Sequence, residues 1–185
     1  KNRGITWENC SLRTWLNVTF IDKAFTADEQ KEILMAEVDN SSSQSYYNTP
    51  GGNTTQDKVF ILSCAEVTYY FGSFSTLTFN FKARLEPTAY AVKQGALKSS
   101  SYATLDGRDT GSWWLRSPGN YQDRAAEVRM EGTLSYTDVD YTGNAVRPAI
   151  WVDLEADCLW NPGEKEAAAA MTVTPEDKLR TSGQK

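Results

Sequence analysis

The sequence predicts an α+β domain, and three observations carry that expectation. Two capping boxes, Thr26-x-x-Glu29 and Ser63-x-x-Glu66, open short helices in the first half of the chain. Residues 125–130 alternate with period two and meet a second strand-like stretch, residues 133–139, across Glu131-Gly132, which reads as a hairpin. Apolar, Trp-bearing runs flank that hairpin at 113–116 (WWLR) and 146–154 (VRPAIWVDL).

Taken in order, Leu12, Trp15, Leu16, Val18 and Phe20 form an approximate helical stripe that starts near Ser11, with Trp7 placed to pack back as a staple. The Thr26 box predicts a helix over 27–35 that buries Ile33 and Leu34. Residues 39–57 are polar and contain Pro50-Gly51-Gly52, which predicts a long exposed loop. Residues 58–62 (KVFIL) read as a buried strand. The Ser63 box then predicts a helix through Val67, Tyr70 and Phe71 that stops at Gly72. Residues 73–82, aromatic and Thr-rich, read as strand or ordered loop. Pro87-Thr88 starts a short helix that ends at Gly95, and residues 99–111 are loop. Loops this long in a compact domain are usually functional or disordered. Residues 113–116 read as a buried strand closed by Ser117-Pro118-Gly119. Pro148 belongs at a strand start, bulge or edge, because it cannot donate a ladder bond. Residues 1–154 are expected to form the domain. Residues 155–185, polar with an alanine run, read as a linker or tail toward a neighbouring domain.

Composition narrows the chemistry. The 185 residues suit one domain, and 40% hydrophobic content supports a core. Six Trp and nine Tyr exceed what a core alone needs. A net charge of −5 argues against a nucleic-acid partner, since a grip on phosphates needs a basic face. No apolar run approaches the ~20 residues of a membrane-spanning helix, so direct membrane insertion is not expected. The absence of histidine removes Ser–His and Cys–His nucleophile pairs and the commonest transition-metal ligand. Cys10, Cys64 and Cys158 lie far apart with no C-x-x-C pair, and read as small buried hydrophobes rather than a zinc site. No cofactor and no metal are expected. The abrupt start, KNRGITWEN, reads as a piece of a longer protein, and Asn9, Asn17, Asn40 and Asn53 stand in glycosylation sequons.

The segment 113–154 carries the functional signal. Its apolar ends, Trp113, Trp114, Leu115, Ile150, Trp151 and Val152, read as core. Arg116 and Arg147, each beside aromatic residues, are expected to be paired or stacked. Between these anchors stand Tyr121, Asp123, Arg124, Tyr136, Asp138, Asp140, Tyr141 and Asn144, with Asn120 and Gln122 among them. Tyr supplies large contact area at low entropic cost, and Asn and Asp supply adaptable hydrogen bonds, so these eight are the candidate ligand-binding residues. A solvated hairpin tip is the plain alternative. Asp138 and Asp140 are expected on one face of a strand, where they could collect calcium or form an acid–base pair, although the dense acidic spacing of a calcium loop is missing.

TWENCSLRTWLN, TQDKVFILSCAEV, WWLRSPG, AAEVRMEG and NAVRPAIW resemble an uncharacterised domain of surface and secreted proteins of gut bacteria, over residues 6–154. That family is similar to the C-type lectin fold near the formylglycine-generating-enzyme type, and to the variable proteins of diversity-generating retroelements. The resemblance implies two or three helices packed on small, twisted antiparallel sheets with long loops. It also implies binding through side chains of the late hairpin. Ala145 stands where the family's V-R-P usually follows Gly. The cysteines do not fall in the late segment that carries the oxidase pair, so the resemblance does not extend to oxidase activity. The function it implies is a non-enzymatic, extracellular or cell-surface module for a protein or carbohydrate ligand, tethered to other domains. A carboxylate-based hydrolase and a structural spacer are the alternatives.

Overall fold

The computed structural model describes residues 4–42, 46–73, 79–102 and 107–152. It is an α+β fold in which short helices surround three small antiparallel sheets. The expected tail, residues 155–185, and Cys158 lie outside the described residues, as do parts of the stretches 73–82 and 99–111.

Helix α1 (Ser11–Trp15) begins where Cys10 Sγ accepts the Arg13 amide. It runs into a π-helical turn (Leu16–Phe20) and then α2 (Ile21–Ala24). The wide turn places Asn17 to reach out of the helix. Its Nδ2 donates to the Arg13 and Val59 carbonyls, and its Oδ1 accepts from the Lys58 and Val59 amides. Leu16, Ile21 and Trp7 are buried, whereas Trp15 and Val18 of the expected stripe face solvent. The amides of Asn17 and Asn40 are likewise engaged inside the fold, unlike exposed Asn9 and Asn53.

Both capping boxes form as read. Thr26 opens α3 (Ala27–Glu32), and Ser63 opens α4 (Cys64–Phe71), which stops at Gly72. Helix α3 is shorter than the expected 27–35. Ile33 turns extended, and β1 (Ile33–Leu34) pairs with β7 (Trp151–Val152). Pairing with a distant strand overrides the local helical signal. The register sets Leu34 opposite Trp151 on an outward face, 46% and 50% exposed, so neither is the core residue expected. Strands β2 (Ala36–Val38) and β3 (Thr55–Asp57) pair at the two ends of the loop read at 39–57.

Residues 58–62 are buried but are not a ladder strand. Their backbone groups are met singly. Asn17 takes two amides, Phe60 exchanges bonds with Ala149, and the Leu62 and Ile61 carbonyls accept from the Arg116 amide and guanidinium. Of the last strand, expected at 146–154, the described residues show β7 and the Ala149 bridge to Phe60. Helix α5 (Ala89–Lys93) is capped by Thr88.

The third sheet, in the order β4-β5-β6, is the predicted hairpin with a flanking strand: β4 (Trp113–Pro118), β5 (Arg124–Val128) and β6 (Leu134–Asp138). Its closing turn requires glycine. Gly132 has φ of +84°, and a Cβ there would collide with the Asn80 carbonyl oxygen. Trp113, Leu115, Ala126, Val128 and Leu134 join Leu16, Ile33, Val59, Ile61, Cys64 and Val67 in one core. Each large side chain buried there contributes roughly 1.5–3 kcal/mol.

Candidate functional site

The register of the hairpin, Arg124 opposite Asp138 and Val128 opposite Leu134, puts residues 119–124 and 138–141 at its open end, away from the turn. Both flanking loops are fixed there. Gly119 N–H donates to the Arg124 carbonyl (2.7 Å), Arg124 N–H to Tyr121 and Val139 N–H to Asp123. Gly119 has no room for a side chain, since a Cβ would lie 2.7 Å from that of Tyr136 and 2.9 Å from that of Arg124. Gln122 ties the same loop to the rest of the domain. Its carbonyl accepts from Ile5, and its side-chain amide donates to Pro50 (2.8 Å).

On this base sits an aromatic and charged cluster. Arg124 Nε lies 3.1 Å from Asp138 Oδ1, and its guanidinium carbon is 5.6 Å from the Tyr121 ring and 5.4 Å from the Tyr136 ring. The Tyr136 hydroxyl accepts from Asn120 Nδ2 at 3.0 Å, and its ring meets Tyr47 edge-on with centroids 5.1 Å apart. Tyr121 is 62% exposed. In the same cluster, Asn120 Oδ1 and the Tyr47 hydroxyl are buried without a hydrogen-bond partner among the described residues, and burial pushes the Tyr47 phenol up to about 12. Buried polar atoms are rarely left unpaired.

Of the eight residues predicted from sequence, Tyr121, Arg124, Tyr136 and Asp138 come together. Asp123 is half-buried at the edge of the cluster. Asp140 and Tyr141 are exposed on the next loop, and no ring contact or ion pair among the described residues joins them to it. Strand β6 ends at Asp138, so Asp138 and Asp140 do not share a strand face as expected. Among the described residues no three Cys, Asp or Glu side chains gather as they would around a metal.

Asn144 is a correction. After β6 the chain crosses to the free edge of β4, where Ala145 pairs in parallel with Trp113. That path turns Asn144 inward. It is 8% exposed, and its Nδ2 donates to Glu127 Oε2 at 2.6 Å, while Glu127 Oε1 accepts from Arg129. Asn144 therefore lies inside the fold, bonded to Glu127, and not on the exposed surface expected of it.

Residues 1–154 match the model of a family described as a domain of unknown function, DUF6273. The chain belongs to the DUF6273 family. No curated protein and no solved structure matches it. The whole three-stranded sheet and both loops at its open end lie inside the DUF6273 match, and residues 155–185 lie outside it.

The DUF6273 domain also uses a residue that sequence reasoning missed. Tyr47 sits in the stretch read as exposed loop, yet it packs on the core and on Tyr136. No signal in the sequence separates the Tyr46-Tyr47 pair from Tyr69-Tyr70, whose rings are both exposed. Tyr46 bonds Thr68 Oγ1 of α4. Chemically, the cluster offers an exposed ring face, a guanidinium and a carboxylate within one small area, which suits recognition by stacking and charge-assisted hydrogen bonds.

Proposed function

We propose that this DUF6273 domain is a non-enzymatic ligand-binding module of an extracellular or cell-surface bacterial protein, with a C-type-lectin-like frame that presents the open end of its late hairpin to a protein or glycan. One observation carries the reading: the exposed Tyr121 ring stands beside the Arg124–Asp138 pair on loops that backbone bonds hold in place. A fixed aromatic with flanking polar groups binds at low ordering cost. In this reading Tyr121 stacks on a sugar ring or enters a partner's pocket, and Arg124 and Asp138 orient the ligand. Asp140 and Tyr141 extend the surface on the adjoining loop. The likeness of the late segment to retroelement-diversified proteins supports the same reading, because their variable positions are of these residue types.

A glycan array and a capture screen against surface proteins, run with the wild-type domain and with Tyr121→Ala and Arg124→Ala, test it. Each variant is expected to lose roughly tenfold or more in affinity for whatever ligand is found, the equivalent of about 1.4 kcal/mol. Tyr141→Ala is expected to lose less. Folded Tyr121→Ala and Arg124→Ala proteins that bind as tightly as wild type would remove the open end from the function.

A further inference from the structure

We propose that Arg147 forms a second binding site, separate from the hairpin's open end, that takes an oxyanion presented to the edge of its guanidinium, a carboxylate or a phosphate. The site lies at the other end of the same sheet. Arg147 contacts Trp113, whose partner Val128 stands next to the hairpin turn, whereas Arg124 and Asp138 stand at the opening. The length of β4, about 17 Å at ~3.3 Å per residue, separates the two.

Arg147 stands apart from the other arginines of the described residues, of which Arg84 donates to the Glu131 carbonyl. Arg13, Arg108, Arg116, Arg124 and Arg129 each lie against a carboxylate: Asp57, Glu86, Glu66, Asp138 and Glu127. Arg147 has no ion pair and no hydrogen bond among the described residues, and its Nη1 is buried without a partner. Burial lowers its proton affinity, and no carboxylate among the described residues offsets that effect. A buried cation without a counter-charge is costly, and an arriving anion would remove much of that cost.

Ring geometry leaves a direction of approach. The guanidinium carbon is 4.8 Å from the Phe71 centroid and 5.1 Å from that of Trp113, and the two centroids are 6.4 Å apart. Those three separations set the rings roughly at right angles about the guanidinium, as a corner rather than a sandwich. The rings supply cation–π attraction from one side. An acceptor lying in the guanidinium plane would meet the N–H groups in the geometry in which Arg grips carboxylate and phosphate with two parallel bonds. Arg147 as a whole residue is partly exposed, although Nη1 itself is buried.

The experiment uses the full chain. Arginine Nε–H resonances are followed by NMR while sodium acetate, or sodium phosphate in a second arm, replaces sodium chloride at constant ionic strength. The Arg147 signal is assigned by its loss in Arg147→Lys. Saturable movement of that resonance at roughly millimolar anion is expected, together with a thermal midpoint raised by roughly 3–5 °C at tenfold excess over Kd. Arg147→Lys, checked for folding by circular dichroism, is expected to bind the anion at least about tenfold more weakly, which cuts the midpoint shift at the same anion concentration to about a third or less, because an ammonium cannot form the paired bonds. Whichever arm saturates at lower concentration identifies the ligand class. A resonance unmoved by both anions, moved equally by chloride, or a midpoint shift retained in Arg147→Lys overturns the proposal.

Discussion

Arg116 and Arg124 lie on adjacent strands of one sheet and are built into opposite situations. Arg116 has a side chain 3% exposed, and its two terminal nitrogens reach both carboxylate oxygens of Glu66 and the carbonyls of Ile61 and Asp39. One residue thereby joins β4, α4 and two loops. Arg124 has a side chain 37% exposed, holds one carboxylate that is itself 56% exposed, and rests near two tyrosine rings. A guanidinium withdrawn from water draws its bonds from the protein, and of the three nitrogens of Arg116 only Nε is buried without a partner among the described residues. A guanidinium left at the surface keeps donors for something else. The frame and the presenting surface of this domain differ in that respect, and the difference can be measured.

The largest effect is expected at a second frame residue, Asp57. It is 1% exposed and accepts from Trp7 Nε1 (3.0 Å), Thr55 Oγ1 (2.7 Å), Arg13 Nε (2.7 Å) and Asn17 Nδ2 (3.3 Å). Asp57→Ala leaves those donors without their acceptor and is expected to cost about 3–5 kcal/mol. Urea denaturation reads it as a lower midpoint with an unchanged slope. Glu66→Gln comes next. The amide oxygen can still cap the Ser63 amide, but the charge facing Arg116 is gone. Because the Glu66 side chain is 31% exposed, water moderates the loss to roughly 2 kcal/mol.

Alkaline pH is expected to loosen the frame through Cys64. Burial pushes its thiol up to about 11 from an ordinary value of 9.0. The folded state therefore holds the proton more tightly than the unfolded chain. The stability this represents is complete below pH 9 and is lost as pH rises toward 11. A two-unit shift corresponds to on the order of 2–3 kcal/mol. Cys64→Ala is expected to be less stable than wild type at pH 7 but to show a flatter decline between pH 9 and 11. Parallel declines in the two proteins would show that Cys64 is not the group responsible.

The parts of this architecture legible in the sequence are those set by neighbours in the chain. Ser63 and Thr26 cap helices through bonds three residues away, and Gly132 closes a turn between strands whose period is visible. What could not be read depends on distant partners. Ile33 leaves its helix because Val152 is there to pair with it. Residues 58–62 carry the composition of a strand, yet Asn17, Ala149 and Arg116 satisfy their backbone one group at a time. Of the candidate residues chosen by type, Tyr121, Arg124, Tyr136 and Asp138 are neighbours in the fold. Residue type misjudged Asn144, because an amide suits a ligand and a buried Glu127 equally well, and only the chain's crossing to β4 decides between them.

The smallest effects are expected at the open end, and they bear most directly on the contrast between the two arginines. Asp138→Asn removes the charge opposite Arg124 in a pair that water already screens, so its cost is expected to stay below about 1 kcal/mol. Tyr121→Ala exchanges an exposed ring for a methyl group and is expected to stay within about 0.5 kcal/mol. Salt separates the two situations further. Raising sodium chloride to about 1 M shortens the screening length to about 3 Å, which removes what little the Arg124–Asp138 pair contributes while leaving the enclosed Arg116–Glu66 pair largely in place. In high salt Asp138→Asn should become indistinguishable from wild type, and Glu66→Gln should keep most of its deficit. If Asp138→Asn instead costs as much as Glu66→Gln, and does so at both salt concentrations, Arg124 is as much a structural clamp as Arg116, and the open end of the hairpin has no donors to spare for a ligand.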